Sequence, residues 1–346
     1  MSVKYVTAGG LRIDYLITAD GRARLRELGG NAIYSAVGAR IWSTDVGILS
    51  RVGERYPSEW LDRLRQADIS TEGVRRVLGQ QEMRTFYAYL DAETRVDTDP
   101  EVHFSRWGLP FPDDLIGYVD STPGQNADGF RELSPRAGDV PESYLRAEAI
   151  HFAPLDLSSH RTIPRVLARR GIRVTLDPGE RYMVPGRLEE VLSLLRWVRV
   201  FLPSRQEVES LMGAGDLWDS AREFAGAGPA VVVIKDGPNG SLVYDRAGDR
   251  CWTVPVHVGE VVDVTGAGDA YCGGFLVGYA ETDDPLMAAC YGTVSASFVL
   301  EGHGGLFGLR YTREDAELRL GQVWQKAESV LPGHSSAEKL PRGQLG

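Results

Sequence analysis

Cysteine is scarce in this chain, with three among 346 residues. Cys251, Cys272 and Cys290 form no CxxC pair and stand in apolar or Gly-rich surroundings, which argues against a disulfide framework and a structural zinc site. A reducing cytoplasm is the expected setting. Lysine is as sparse, at Lys4, Lys235, Lys326 and Lys339 only, so nearly all the positive charge is arginine and Lys235 stands out. Positive charge is itself in deficit: 38 basic residues face 48 acidic ones, a net charge of −10. With no basic cluster to offset it, that balance opposes binding to nucleic acid. No stretch approaches the ~20 apolar residues of a membrane span, and MSVKYVTAGGLRIDYLI has no apolar run ending in a cleavage site. The expectation is a soluble, cytoplasmic protein. Two nucleotide motifs are also missing. The phosphate loop GxxxxGK[ST] is absent, and GxGxxG fails because Tyr271 stands where its third Gly belongs. What remains is a globular profile, 43% hydrophobic and 25% charged, long enough to bury a sizeable core.

From residue 147 onward, short β-branched runs alternate with stretches of helical period. The runs AEAIHFAP, GIRVTLDP, WVRVFLPS and AVVVIKDG each close in a Pro, Gly, Ser or Asp turn. Helical stretches lie between them, at about 159–170, 187–195, 206–212 and 217–224. Strands and helices in this order predict βαβ units and a parallel sheet covered on both faces. Ligands collect beyond the carboxyl ends of such strands, here the turns at Pro154, Asp177, Ser204 and Asp236. The amino-terminal third reads differently. KYVTAGGLRIDYLI breaks at Gly9 and Gly10, and RTFYAYLDAETRVDT alternates apolar and polar residues, so a small β-layer is expected from about 11–28 and 84–100. Segments 30–41 and 58–66 have helical spacing. Residues 101–143, dense in Pro, Gly, Asp and aromatics, read as an irregular insertion, and 326–346 as a flexible tail after a single domain over 1–325.

The segment VVDVTGAGDAYCGGFLVGYAE, residues 261–281, joins a β-branched run to a helix through a Gly-rich turn. A helix opening at Gly266, Ala267 and Gly268 presents unpaired N–H groups and its positive dipole end, which together make an anion hole. Gly permits both a positive φ and a close approach of phosphate to the backbone. Asp269 follows at once, placed to take a proton from a hydroxyl attacking a phosphate held in that hole. The dipole favours its ionised form, so its use as a base rests on placement. An Asp in a first helical turn also serves as a plain cap, and one GAG turn is weak evidence alone.

DVTGAGDAYCGGFL resembles the carboxyl-terminal signature of the ribokinase-like, or PfkB, carbohydrate kinases, DTxGAGDxFxGGF, with Val264 and Tyr271 as mild departures. LGGNAIYSAVGARIW resembles the amino-terminal signature and DVGILSRVGERYPSEWLDRLRQADISTEGV the block after it, with Glu54 and Pro57 as departures. FLPSRQEVESL resembles the Asn-x-x-Glu segment, and AVVVIKDGPNGSLVYD the strands and loop over the adenine nucleotide. The resemblance reaches to about residue 310. It implies a three-layer α/β fold, a mostly parallel sheet between helices, with a small β-lid. It implies transfer of the γ-phosphoryl of ATP to a primary hydroxyl of a sugar or sugar-like molecule.

In that resemblance Asp269 is the general base and Gly266, Ala267 and Gly268 the anion hole. Asp14 grips substrate hydroxyls, and Gly29, Gly30 and Asn31 form the substrate-side turn. Asn31 either hydrogen-bonds a hydroxyl or caps the helix that follows. Ser204, Lys235, Gly237 and Gly240 fall at the nucleotide. Lys235 either approaches a phosphate or lies with its ammonium in solvent, the more ordinary outcome. Glu207 is the acidic residue that positions Mg2+ through water. EGHGGLFG is a loop near the nucleotide or a monovalent-cation site, and 285–300 a core helix. Ser204 replaces the family's usual Asn and Tyr34 another, so phosphate contacts and the substrate pocket are expected to differ. Two alternatives stay open: a nucleoside kinase, with Tyr34, Phe86 and Tyr87 stacking on a base, and a non-catalytic regulatory member of the fold. Exposed lid edges suggest a homodimer through the lid.

Overall fold

The computed structural model describes residues 3–90, 95–119, 129–257, 259–330 and 339–340. The strands are β1 (Tyr5–Ala8), β2 (Arg12–Ile17), β3 (Ala23–Gly29), β4 (Val46–Gly53), β5 (Ile69–Val77), β6 (Arg84–Tyr89), β7 (Arg95–Val96), β8 (Ala149–Phe152), β9 (Arg173–Leu176), β10 (Val200–Phe201), β11 (Val231–Lys235), β12 (Ser241–Asp245), β13 (Arg250–Val254), β14 (Glu328–Val330) and β15 (Lys339–Leu340). The helices are α1 (Asn31–Arg40), α2 (Ser58–Gln66), α3 (Pro100–Arg106), α4 (Leu157–Ala168), α5 (Leu188–Leu195), α6 (Arg205–Met212), α7 (Leu217–Ala227), α8 (Ala267–Thr282), α9 (Pro285–Leu300) and α10 (Arg313–Lys326).

One sheet runs in the order β15-β14-β13-β12-β11-β10-β9-β8-β1-β4-β5. It is parallel from β11 to β5 and antiparallel from β11 to β15. Its strands are apolar on both faces, as a sheet covered by helices on both sides requires. Along β11, Val231 and Val233 enter the core built with α1, α8 and α9, while Val232 and Ile234 enter the one built with α4, α5, α6 and α7. The architecture is the ribokinase-like α/β fold, a large mostly parallel sheet flanked by helices.

A second sheet, β3-β2-β6-β7, forms the separate β-layer. The register between β2 and β3 shifts between Asp14 and Leu16, a bulge of the kind that re-aims a side chain.

Two segments differ from their sequence reading. The stretch read as an irregular insertion carries α3, with Pro100 in its first turn and Phe104 buried against Phe86 and Phe111. Asp114 staples the stretch after α3 to the β-layer, accepting from Tyr15 Oη and Arg26 at 3.2 and 2.8 Å, while residues 120–128 of the expected insertion lie outside the described residues. Seven residues of helix among Pro and Gly give too short a period to stand out. The segment read as a tail opens with β14, which pairs with β13 and buries Val330. Three residues cannot show an alternation. Residues 331–338 and 341–346 of the expected tail lie outside the described residues.

Candidate active site

A cavity of about 980 Å³ opens beyond the carboxyl ends of β8, β9, β10 and β11 and beneath the β-layer. Of the four strand-end turns singled out in the sequence, Pro154, Asp177 and Ser204 line it. Asp236 instead pairs with Arg205 at 2.6 Å.

Gly266 is the N-cap of α8 with φ 76°. A Cβ there would stand 2.1 Å from Cγ of Tyr34, so both conformation and space demand glycine. In the turn the Ala267 N–H already donates to the Val264 carbonyl at 3.3 Å, and Ala267 does not line the cavity. Gly266, Gly268 and Asp269 do. The hole is therefore narrower than the sequence reading had it, and centres on Gly268.

Asp14, buried at 3% exposure, lines the cavity from β2. Gly29 makes room for it, since a Cβ at 29 would fall 1.7 Å from Asp14 Oδ2. Gly30, not Asn31, is the N-cap of α1, with φ 103°. Asn31 has another role. Its Oδ1 accepts from Gly10 N–H at 2.7 Å and its Nδ2 donates to the Pro154 carbonyl at 2.8 Å. It clasps the β1–β2 turn to the end of β8 while lining the cavity.

Lys235 corrects the solvent-facing expectation. Its ammonium pairs with Asp177, the two side chains being 15% and 4% exposed. Its Nζ lies 3.8 Å from where a Cβ on Gly268 would be, so it reaches the mouth of α8. Burial opposes its charge, but Asp177, Cys272 and Glu207 outweigh that and hold the ammonium above the usual lysine range. Asp177 is pushed up to about 6 by burial, with Lys235 pulling down and Asp269 pushing up. Glu207 is pushed up to about 7 by burial and then by Asp177. Among the described residues Asp177 Oδ1 is buried without a hydrogen-bond partner. Cys272, 3.5 Å from Asp177 Oδ2, has its thiol pushed well up by burial.

Ser204 and Glu207 close a reciprocal cap on α6. Glu207 Oε2 accepts from Ser204 N–H at 2.7 Å and from its hydroxyl at 2.8 Å, while Ser204 Oγ accepts from Glu207 N–H at 3.3 Å. Both line the cavity. Gly237 and Gly240, in the turn between β11 and β12, do not. Gly240 has a structural reason: with φ 90°, its Cβ would meet the Val254 carbonyl at 2.1 Å. Tyr34 and Tyr87 reach the cavity, whereas Phe86 is wholly buried against Phe104 and His103. His303 of the EGHGGLFG loop pairs with Asp263 at 2.9 Å. Sequence reasoning missed Arg12, Arg131 and Arg181 in the lining. Their bland surroundings gave no signal, although Arg12 lies beside Asp14 in the quoted segment.

Among the described residues no helix is long and apolar enough to cross a membrane.

A glycine-turn helix mouth beside a carboxylate thus lies at the carboxyl edge of a ribokinase-like sheet. Residues 143–310 match the model for the pfkB family of carbohydrate kinases. The chain is 29% identical over 276 residues to a cytidine kinase of Thermococcus kodakarensis, covering 80% of this chain and 88% of that one. It is 27% identical over 293 residues to an ATP-dependent ribose-1-phosphate kinase of Halopiger xanaduensis, covering 81% and 84%. The fold matches a putative ribokinase II from E. coli in complex with ATP and Mg2+, with a TM-score of 0.68 at 17% identity over 92% of this chain and 99% of that one.

Proposed function

We propose that the protein transfers the γ-phosphoryl group of ATP to a primary hydroxyl of a sugar or sugar-containing small molecule, with Asp269 as general base. The observation that carries this reading is the meeting, in one cavity, of Asp269, the Gly266–Gly268 turn and Lys235 with Asp14 and Asn31. Asp14 orients acceptor hydroxyls by accepting hydrogen bonds from them. Asp269 takes the proton as the acceptor oxygen bonds to the γ-phosphorus. The bond between that phosphorus and the β–γ bridging oxygen breaks, and ADP leaves. The Gly268 N–H and the Lys235 ammonium meet the charge on the transferring group. Asp177 and Glu207 fit a hydrated Mg2+, because Asp177 Oδ1 is a buried acceptor without a partner among the described residues and hard cations take oxygen ligands. When bound, the ion offsets polyphosphate charge.

The cytidine kinase likeness favours a second reading, a nucleoside acceptor, with Tyr34 and Tyr87 the aromatics available to a base. A third, a regulatory protein that binds without turnover, differs from both in releasing no ADP. The test is Mg2+-dependent ADP release from ATP across pentoses, hexoses, sugar acids, sugar phosphates and nucleosides, with Asp269→Asn as control. Release with one class, lost in the control, supports the kinase. ATP binding with no release from any compound overturns it in favour of the regulator. The β-layer ends in the edge strands β3 and β7, which a second copy of the chain would cover. Sedimentation velocity tests that homodimer.

A further inference from the structure

One face of β6 carries Thr85, Tyr87 and Tyr89. Thr85 and Tyr87 line the large cavity, while Phe86 and Ala88 between them enter the core on the other face, the alternation of a strand. Tyr89, next in the row, lies in the wall of a second cavity of about 430 Å³. Its hydroxyl shares a hydrogen bond with that of Thr265, 176 residues further along the chain. Both residues are buried. Thr265 also lines the large cavity and immediately precedes Gly266, the N-cap of α8.

The turn ahead of α8 is tied on its other side to the helical layer. The N–H groups of Val262 and Asp263 donate to the Leu300 carbonyl, at the end of α9, at 2.8 and 3.2 Å. Asp263 Oδ1 accepts from the Thr265 N–H at 2.9 Å, and its Oδ2 pairs with His303 at 2.9 Å. The Thr265 hydroxyl instead joins the turn to the β-layer. Downstream, the Ala267 N–H donates to the Val264 carbonyl at 3.3 Å and the Ala270 N–H to the Gly266 carbonyl at 2.8 Å, so a shift of Thr265 carries Gly266, Gly268 and Asp269 with it. Tyr89 and Asp269 also crowd one ring: burial, then Asp14, Asp263, Tyr89 and Asp269 in turn, raise the Tyr34 phenol well above its ordinary range. A buried hydroxyl left without its partner is costly, so each of Tyr89 and Thr265 holds the other in place.

We propose that Tyr89 and Thr265 are positioning residues for phosphoryl transfer: their shared hydrogen bond sets the Gly266–Asp269 helix mouth against the strand whose Thr85 and Tyr87 face the cavity. This rests on the kinase reading above and goes beyond it, since it gives the transfer geometry a determinant outside the groups that touch substrate. An acceptor beneath β6 and a phosphoryl group at α8 are then referred to one joint. Loosening that joint by an ångström lowers the rate of transfer far more than the affinity for either reactant.

The experiment measures ADP release from ATP and Mg2+ with ribose, fructose, gluconate, ribose 1-phosphate and cytidine, one compound from each class tested above. With the acceptor that turns over fastest, kcat and KM are compared in wild type, Tyr89→Phe, Thr265→Val, Thr265→Ser and the Tyr89→Phe, Thr265→Val pair, well below each Tm. The expected result is a fall in kcat of about 10- to 100-fold in Tyr89→Phe and in Thr265→Val, with the KM for ATP held within about twofold. Thr265→Ser keeps the hydroxyl and should recover most of the rate. The paired variant should fall no further than the worse single one, as groups acting through one bond do. Losses that multiply in the pair, that fall on KM with kcat intact, or that serine does not rescue overturn the proposal. So does a loss of kcat matched by a loss of folded protein in circular dichroism. Asp269→Asn, measured alongside, keeps the kinase reading separate from these outcomes. Should wild type release ADP with no compound, the kinase reading fails, and deuterium exchange over residues 263–272 decides the joint. Faster exchange in Tyr89→Phe and Thr265→Val, restored in Thr265→Ser, supports it, and exchange unchanged from wild type overturns it.

Discussion

The ammonium of Lys235 and the carboxylate of Asp177 are a buried ion pair joining the carboxyl ends of β11 and β9 beside the mouth of α8. Removing one member of such a pair leaves an uncompensated charge and costs about 3–5 kcal/mol. Asp177, already raised to about 6 by burial with Lys235 pulling down, rises further once Lys235 is gone. Its folded pKa then lies well above its ordinary 3.8. The penalty is therefore present at pH above the folded pKa and relieved as pH falls below it. Lys235→Met is expected to lower Tm strongly at pH 8 and much less at pH 5.5. Lys235→Met with Asp177→Asn should recover part of the loss at pH 8. Equal losses at both pH values in the single variant would remove Asp177 as the cause.

Gly266 and Tyr34 are coupled by space. A methyl group at 266 meets the Tyr34 ring at 2.1 Å, on a backbone with φ 76°. Gly266→Ala is expected to lose activity by at least about 100-fold, since displacement of the turn by an ångström misplaces the groups that hold the transferring phosphoryl. Gly266→Ala with Tyr34→Ala relieves the clash but not the backbone strain, so its Tm should recover further than its kcat. Circular dichroism with ADP release separates the two, and parallel recovery of both would mean that the clash alone matters.

His160 is fully buried between Tyr182 and the Ala153 carbonyl. The carbonyl only accepts, so Nε2 carries the proton and Nδ1 accepts from the Tyr182 hydroxyl, at 3.1 and 2.6 Å. Burial pulls its pKa from 6.5 down to about 4. A depressed histidine contributes stability that is complete above the unfolded value and lost as pH falls toward the folded one. The loss between pH 6.5 and 4 reaches about 3 kcal/mol at ~1.4 kcal/mol per pKa unit. Urea denaturation in that range should show wild type falling more steeply than His160→Gln, His151 being common to both. Parallel profiles would exclude His160.

How far the sequence reached follows from how local each signal was. The Gly266–Asp269 turn is contiguous, so its residue types and spacing announced both the helix mouth and the carboxylate. The strand ends at Pro154, Asp177 and Ser204 followed from alternating periods, which is why the carboxyl edge was found before any side chain was placed. Lys235 was misread because its partner lies 58 residues away on another strand, and only the fold brings the two together. Asn31 satisfied both ends of its amide on backbone groups 21 and 123 residues distant, which no local rule forecasts. Arg131 sits in a stretch whose composition reads as loop, and its neighbours Arg12 and Arg181 come from other elements. Gly237 and Gly240 were drawn toward the nucleotide by motif position, whereas Gly240 answers to the Val254 carbonyl.

Ser204 departs from the family's usual Asn, and its bonds show what any replacement must do. It caps α6 through its hydroxyl and holds Glu207 Oε2 with both N–H and hydroxyl. Ser204→Ala should lower stability by about 1 kcal/mol, the ordinary worth of an N-cap, whereas Ser204→Asn keeps a capping oxygen and should stay within about 0.5 kcal/mol of wild type. The catalytic consequence runs through Glu207. Losing the hydroxyl removes one of the hydrogen bonds that favour its ionised form, and burial together with Asp177 already pushes it up to about 7. At pH 7 more of the Glu207 population is then protonated in Ser204→Ala, and a protonated carboxyl is a poor partner for Mg2+. The Mg2+ concentration for half-maximal ADP release should therefore rise in Ser204→Ala and in Glu207→Gln, and the first rise should shrink at pH 8.5 while the second persists. Unchanged Mg2+ dependence in Glu207→Gln would leave Glu207 as a helix cap alone and assign the metal to Asp177.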